Sequence, residues 1–125
     1  MSRALVVVVE DDPDVASFLE TALSDAYDTR VAVDGVAAQR MLDQLTPDLI
    51  VLDVRLPCMS GAELCKVIRS DERLRRTPIL VVTGFPESPE VGIIRNMGVD
   101  RILAKPVTAR RLIEAVRAII AGTRE

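Results

Sequence analysis

The sequence holds no histidine in its 125 residues. That absence removes the commonest general base and the imidazole metal ligand, and it excludes any Ser-His-Asp arrangement. It also means that the chain cannot itself carry a phosphohistidine. Tryptophan is missing too, and aromatic residues are 2% of the chain: Phe18, Phe85 and Tyr27. Two cysteines, Cys58 and Cys65, are too few for a disulfide framework and read as incidental. There is no basic excess, with 16 Lys and Arg against 19 Asp and Glu and a net charge of −3. A surface that binds nucleic acid directly is therefore not expected. The run Arg73, Arg75, Arg76 is short and reads as a solvated loop. No apolar stretch approaches the length of a membrane span. No secretory core follows Met1-Ser2-Arg3. The expected location is the cytoplasm, without membrane contact.

What is present is a chain that is 49% hydrophobic and 28% charged, the balance of a globular protein. Its length predicts one domain over residues 1–125. Short β-branched runs alternate with amphipathic stretches. Leu5-Val6-Val7-Val8-Val9 is continuously apolar and ends at Glu10-Asp11-Asp12, the pattern of a strand buried on both faces of a parallel sheet. Pro13 suits a first helical position with Asp12 as its N-cap, and Val15, Phe18, Leu19, Ala22 and Leu23 follow at helical spacing.

Residues 29–33 predict a weaker second strand, followed by a helix marked by Val36, Ala37, Met41 and Leu42. Leu49-Ile50-Val51-Leu52 is a third strand ending at Asp53. Ser60-Gly61-Ala62-Glu63 has the form of a capping box opening the third helix. Ile79-Leu80-Val81-Val82 predicts a fourth strand ending at Thr83. Ser88-Pro89-Glu90 predicts a helix start, with Gly98 at that helix's stop. Residues 99–104 predict a fifth strand ending at Lys105-Pro106. Thr108 is placed to cap a last helix, and residues 122–125 read as a frayed end. Five strand–helix units with short connections predict an α/β fold: a parallel sheet with helices on both faces.

Four of the five strands end in chemically capable residues: Glu10-Asp11, Asp53, Thr83 and Lys105. In an open parallel sheet such residues converge outside the carboxyl ends of the strands, where strand order reverses. Three carboxylates in one small site would repel, and a hard divalent cation resolves that repulsion. Mg²⁺ is the expected ion, with Asp11 and Asp53 as direct ligands and the longer Glu10 acting through a water. Lys105 and Thr83 complete a cradle for phosphoryl oxygens. Asp53 stands between the acids and the lysine as a carboxylate nucleophile, which would form an aspartyl phosphate.

These residues resemble the response-regulator receiver family of two-component signalling, chemotaxis-regulator-like, over essentially the whole chain. Val8-Val9-Glu10-Asp11-Asp12-Pro13 resembles the family's acidic pair after the first strand. Val51-Leu52-Asp53-Val54-Arg55-Leu56-Pro57-Cys58-Met59-Ser60-Gly61 resembles its phospho-acceptor segment. Val82-Thr83-Gly84 resembles its fourth-strand hydroxyl, and Ala104-Lys105-Pro106 its fifth-strand lysine. Each motif alone is unspecific; their order and spacing together are specific.

The resemblance implies a flavodoxin-like, doubly wound (βα)5 fold with strand order 2-1-3-4-5. It implies that Asp53 receives its phosphoryl group from the phosphohistidine of a histidine kinase or phosphotransfer protein. It implies the backbone carbonyl of Arg55 as a further Mg²⁺ ligand and a cis Lys105-Pro106 bond. Output would pass to a downstream protein or effector domain through the face of helix four, strand five and helix five, in a monomer or a phosphorylation-dependent dimer. The only catalysis implied is the domain's own phosphoryl transfer and slow autodephosphorylation.

One departure is Ile102, at a switch position, three residues before the lysine, where the family often carries Tyr or Phe. Phe85 or movement of the Thr83-to-Ile94 segment is expected to serve instead. The same departure leaves open a phosphorylation-independent, receiver-like interaction module. A phosphatase of the haloacid dehalogenase type would need a second Asp two residues after the nucleophile, where this chain has Arg55. A flavodoxin would need a phosphate loop where Glu10-Asp11-Asp12 would repel a flavin phosphate. No effector domain is read after the last helix, so a stand-alone regulator and a receiver cut from a longer chain are both open. Val91, Ile93, Ile94 and Met97 make helix four apolar, with part of that stripe expected to be exposed for binding.

Overall fold

Valines at successive positions of one strand point to opposite faces of a sheet, so Leu5–Val9 needs apolar cover on both sides. A computed structural model, which describes residues 3–123, supplies it. The elements run β1 (Leu5–Val9), α1 (Pro13–Ser24), β2 (Asp28–Ala32), α2 (Gly35–Gln44), β3 (Leu49–Leu52), α3 (Gly61–Ser70), β4 (Ile79–Thr83), α4 (Pro89–Asn96), β5 (Arg101–Ala104) and α5 (Ala109–Thr123). All five strands pair in parallel, in the order β2-β1-β3-β4-β5. The flavodoxin-like expectation therefore holds. The second strand lies one residue earlier than expected, and the fifth begins at Arg101 rather than Val99. The expected fraying at 122–125 falls partly outside the described residues.

Alternation divides the core in two. Val7, Val9, Ile50, Leu52, Ile79 and Val81 pack with Ala38 and Leu42 of α2, Leu64 and Ile68 of α3, and Val91 and Ile94 of α4. Val6, Val8, Leu49, Val51, Leu80 and Val82 pack on the other face with Leu19 and Leu23 of α1 and Leu112, Ala115, Val116 and Ile120 of α5. Burying one such Leu or Ile contributes about 1.5–3 kcal/mol. Strand position explains why some runs were easier to read. The central β3 and β4 are buried at every position, while the edge strands β2 and β5 mix exposed and half-buried residues with one buried residue each.

Local chemistry sets the helix ends. The Asp12 carboxylate accepts the N–H groups of Asp14 and Val15 at 2.9 and 3.3 Å. Ser60 and Glu63 form the full capping box. Thr108 Oγ1 accepts the Arg111 N–H at 3.1 Å. Gly98 stops α4 with φ +85°, a left-handed conformation that glycine adopts without steric cost. Ser88 differs from the expectation: α4 begins after it, but its hydroxyl makes no cap, and Oγ is buried without a hydrogen-bond partner among the described residues. The α4 stripe faces mainly inward. Val91 and Ile94 are buried and Met97 is half-buried, so Ile93, 53% exposed, is the one member left open to solvent.

Candidate functional site

The register of the sheet brings the strand-end residues together. Val9 of β1 pairs with Leu52 of β3, and the Asp53 N–H bonds the Val9 carbonyl at 3.1 Å. Glu10 and Asp53 therefore leave adjacent strands side by side, at the reversal of strand order. On the other side Thr83 pairs with Ala104, and the Lys105 N–H bonds the Thr83 carbonyl at 2.8 Å. The Lys105-Pro106 bond is cis, as the resemblance implied.

Lys105 then crosses the strand ends. Its Nζ donates to Glu10 Oε1 at 2.8 Å and to Asp53 Oδ2 at 3.0 Å. Glu10 and Asp53 are 2% and 8% exposed. Burial pushes the Glu10 carboxyl up from its ordinary pKa; the Lys105 and Asp12 hydrogen bonds oppose this, and the Asp53 charge reinforces it. Burial alone would lower the Lys105 ammonium, but its bonds to Glu10 and Asp53 and their charges outweigh that and raise it. The second Glu10 oxygen accepts the Asp12 N–H at 3.1 Å, so both oxygens are engaged. Sequence spacing carries no signal for a Glu10–Lys105 pair.

Glu10, Asp11 and Asp53 each present a carboxylate oxygen, and these lie within 4.8 Å of one another. Asp11 is exposed, so this oxygen set opens to solvent. Three ionised carboxylates against one ammonium leave two negative charges. An all-oxygen donor set with that residual charge fits a hard divalent cation such as Mg²⁺.

The neighbouring loops are shaped by close approach. A Cβ on Gly61 would stand 2.7 Å from Val54 Cα and 2.8 Å from the carbonyl oxygens of Asp53 and Val54, so only glycine lets α3 start against the acceptor segment. The motif contained Gly61, but this reason lies in the packing alone. Gly84, next to Thr83, has open space where a Cβ would be. Thr83 is fully buried, and its Oγ1 accepts the Phe85 N–H at 3.0 Å. The Arg55 N–H points to Asp53 Oδ1 at 3.4 Å, and the Arg55 guanidinium lies over the Phe85 ring, 3.6 Å from its centroid. That stack went unread in the sequence, where the two residues are thirty apart.

Ile102 is half-buried against the cluster that includes Val91 and Ile94. Cys58 is exposed, with φ +70°, and Cys65 is buried; both are free thiols. An apolar groove of about 460 Å³ runs beside Lys105, between Val15 and Phe18 of α1 and Pro106 and Val107. No helix among the described residues is long and apolar enough to cross a membrane.

A family model described as the response regulator receiver domain matches residues 6–117. The DNA-binding response regulator MtrA of Mycolicibacterium smegmatis is 35% identical over 117 residues, which are 93% of this chain and 50% of that protein. The chain spans about half the length of the first curated relatives it matches. Among solved structures, the receiver domain of a Pseudomonas aeruginosa sensor histidine kinase superposes with a TM-score of 0.88 at 27% identity, covering 96% of this chain and 99% of that one. It was crystallised with a magnesium ion coordinated in its active-site cleft. A response regulator of Chloroflexus aurantiacus superposes with a TM-score of 0.89 at 31% identity, covering 96% and 99%. A match that runs from the first strand into the last helix embraces the whole fold, and the chain belongs to the response regulator receiver family of two-component signalling.

Proposed function

We propose that residues 1–125 form a single receiver domain in which Asp53 accepts a phosphoryl group from the phosphohistidine of a histidine kinase or phosphotransfer protein. The observation that carries this reading is the Lys105 ammonium bridging Asp53 and Glu10 inside an acidic cluster. An Asp53 oxygen attacks phosphorus, the phosphorus–nitrogen bond breaks, and the imidazole leaves with its electron pair, giving an aspartyl phosphate. Lys105 has three N–H donors and spends two on Glu10 and Asp53, so the third is available to a phosphoryl oxygen. The Thr83 hydroxyl uses its oxygen toward Phe85, leaving its hydrogen to donate to a second phosphoryl oxygen.

Asp11, Asp53 and the Arg55 backbone carbonyl would hold Mg²⁺ directly, with Glu10 acting through a water. When bound, the ion neutralises charge on the carboxylates and the transferring group. The site also catalyses slow loss of its own phosphoryl group to water. Output passes through the face formed by α4, β5 and α5 to a partner protein or effector domain, in a cytoplasmic monomer or phosphorylation-dependent dimer.

The test is intact mass after incubation with Mg²⁺ and acetyl phosphate. One acid-stable, base-labile phosphoryl adduct is expected, absent in Asp53→Asn and without Mg²⁺. No adduct from acetyl phosphate or from a phosphorylated kinase would leave the second reading, a phosphorylation-independent interaction module, which Ile102 favours.

A further inference from the structure

Phe85 is 50% exposed on the segment that follows β4, yet two contacts fix it. Its N–H bonds Thr83 Oγ1, and its ring lies under the Arg55 guanidinium. Both holders are close to the acceptor. Thr83 ends the strand beside β3, and Arg55 is two residues beyond Asp53, its own N–H aimed at Asp53 Oδ1. Both are also groups that an added phosphoryl group attracts: one is a hydroxyl donor, the other a planar cation that binds phosphate through paired hydrogen bonds. Magnitudes decide the competition. An exposed cation–π contact is among the weaker interactions at a protein surface. Charge-assisted bonds to phosphate are roughly twice as strong as neutral ones.

We propose that Arg55 leaves Phe85 for a phosphoryl group on Asp53, so that release of the Phe85 ring reports phosphorylation of this chain. The inference rests on Asp53 as acceptor. It makes the Arg55 side chain a phosphoryl-positioning group, and it assigns the reporting ring to the segment between β4 and α4. Ile102, half-buried and without a ring, does not supply it. The acceptor's two flanking loops are joined across Asp53 while it is unmodified and part when it is phosphorylated.

The test uses the absence of tryptophan from the chain. Phe85→Trp places a single indole at the half-exposed position, with emission maximum and acrylamide quenching as readouts. Intact mass is taken on the same samples before and after acetyl phosphate with Mg²⁺. The expected result is a red shift and a severalfold rise in quenching that tracks the phosphoryl adduct. With Arg55→Gln added, the indole should be readily quenched before phosphorylation. With Arg55→Lys, a cation that can still lie over the ring, the protected state should return. An adduct with unchanged emission and quenching would overturn this inference and leave Asp53 as acceptor. Absence of an adduct from both acetyl phosphate and a phosphorylated kinase would overturn both.

Discussion

Lys105 Nζ stands 3.0 Å from Asp53 Oδ2 although 52 residues separate them in the chain. The same ammonium holds Glu10, 95 residues away, at 2.8 Å. One partly exposed cation thus compensates two nearly buried carboxylates, and its removal has a calculable consequence.

Lys105→Met should destabilise the protein at pH 7 by about 1–3 kcal/mol. Breaking a fully buried pair costs about 3–5 kcal/mol, and the Lys105 side chain is 23% exposed, so solvent screens part of it. The pH dependence has a definite sign. Glu10 already has a raised pKa, and losing the cation raises it further. A group raised in the folded state contributes stability that is full below its unfolded pKa and lost as pH rises through its folded pKa. The deficit against the parent should therefore shrink as pH falls toward 4. Urea midpoints at pH 7 and pH 4 check this; an equal deficit at both would show that the carboxylates are not its source.

Two glycines should respond in opposite directions. Gly61→Ala drives a Cβ into Val54 and the Asp53 carbonyl, and overpacking of this kind costs about 1–3 kcal/mol. It should also slow acquisition of the acetyl phosphate adduct, because the displaced backbone carries Asp53. Gly92, inside α4, has nothing within 4 Å of a Cβ. Gly92→Ala should stabilise by about 0.5–1 kcal/mol through helix propensity. Thermal melts of both variants decide.

The two serines that begin helices should also part company. Ser60→Ala breaks a complete capping box and should cost about 1 kcal/mol. Ser88→Ala removes a buried hydroxyl without a partner, so it should be neutral or stabilising, since such a group carries a desolvation cost of about 1–3 kcal/mol. A loss at Ser88 equal to that at Ser60 would mean that its hydroxyl caps α4 in solution.

The cysteines offer a check on burial. Burial, only partly offset by Arg69, pushes the Cys65 thiol from 9.0 up to about 11. Its contribution to stability is full below about pH 9 and is lost as pH rises toward about 11, because the unfolded thiol ionises first. At about 1.4 kcal/mol per pH unit, the loss across that window is on the order of 3 kcal/mol. Urea midpoints at pH 8.5 and 11 should fall further for the parent than for Cys65→Ala. At pH 8 a thiol reagent should modify the exposed Cys58 promptly and reach Cys65 only after denaturant is added.

The sequence by itself determined the central architecture and the members of the site. Continuous apolar runs can be satisfied only between two helical layers, so β1, β3 and β4 were legible as central strands of a parallel sheet. A parallel sheet in turn sends the ends of its strands to one edge, which is why Glu10, Asp11, Asp53, Thr83 and Lys105 could be assembled before any coordinates. The ends of β2 and β5 were blurred because these edge strands keep one residue each fully buried and so carry less apolar signal. Tertiary structure alone decided the pairings that depend on distance in space. These are the bonds of Lys105 to Glu10 and Asp53, the approach of Gly61 to Val54, the idle hydroxyl of Ser88, and the Arg55–Phe85 stack. Each of the three close pairings joins residues on different elements or loops, and the Ser88 hydroxyl is enclosed without a partner. Local propensity and periodicity, which act over a few residues, carry no information about either.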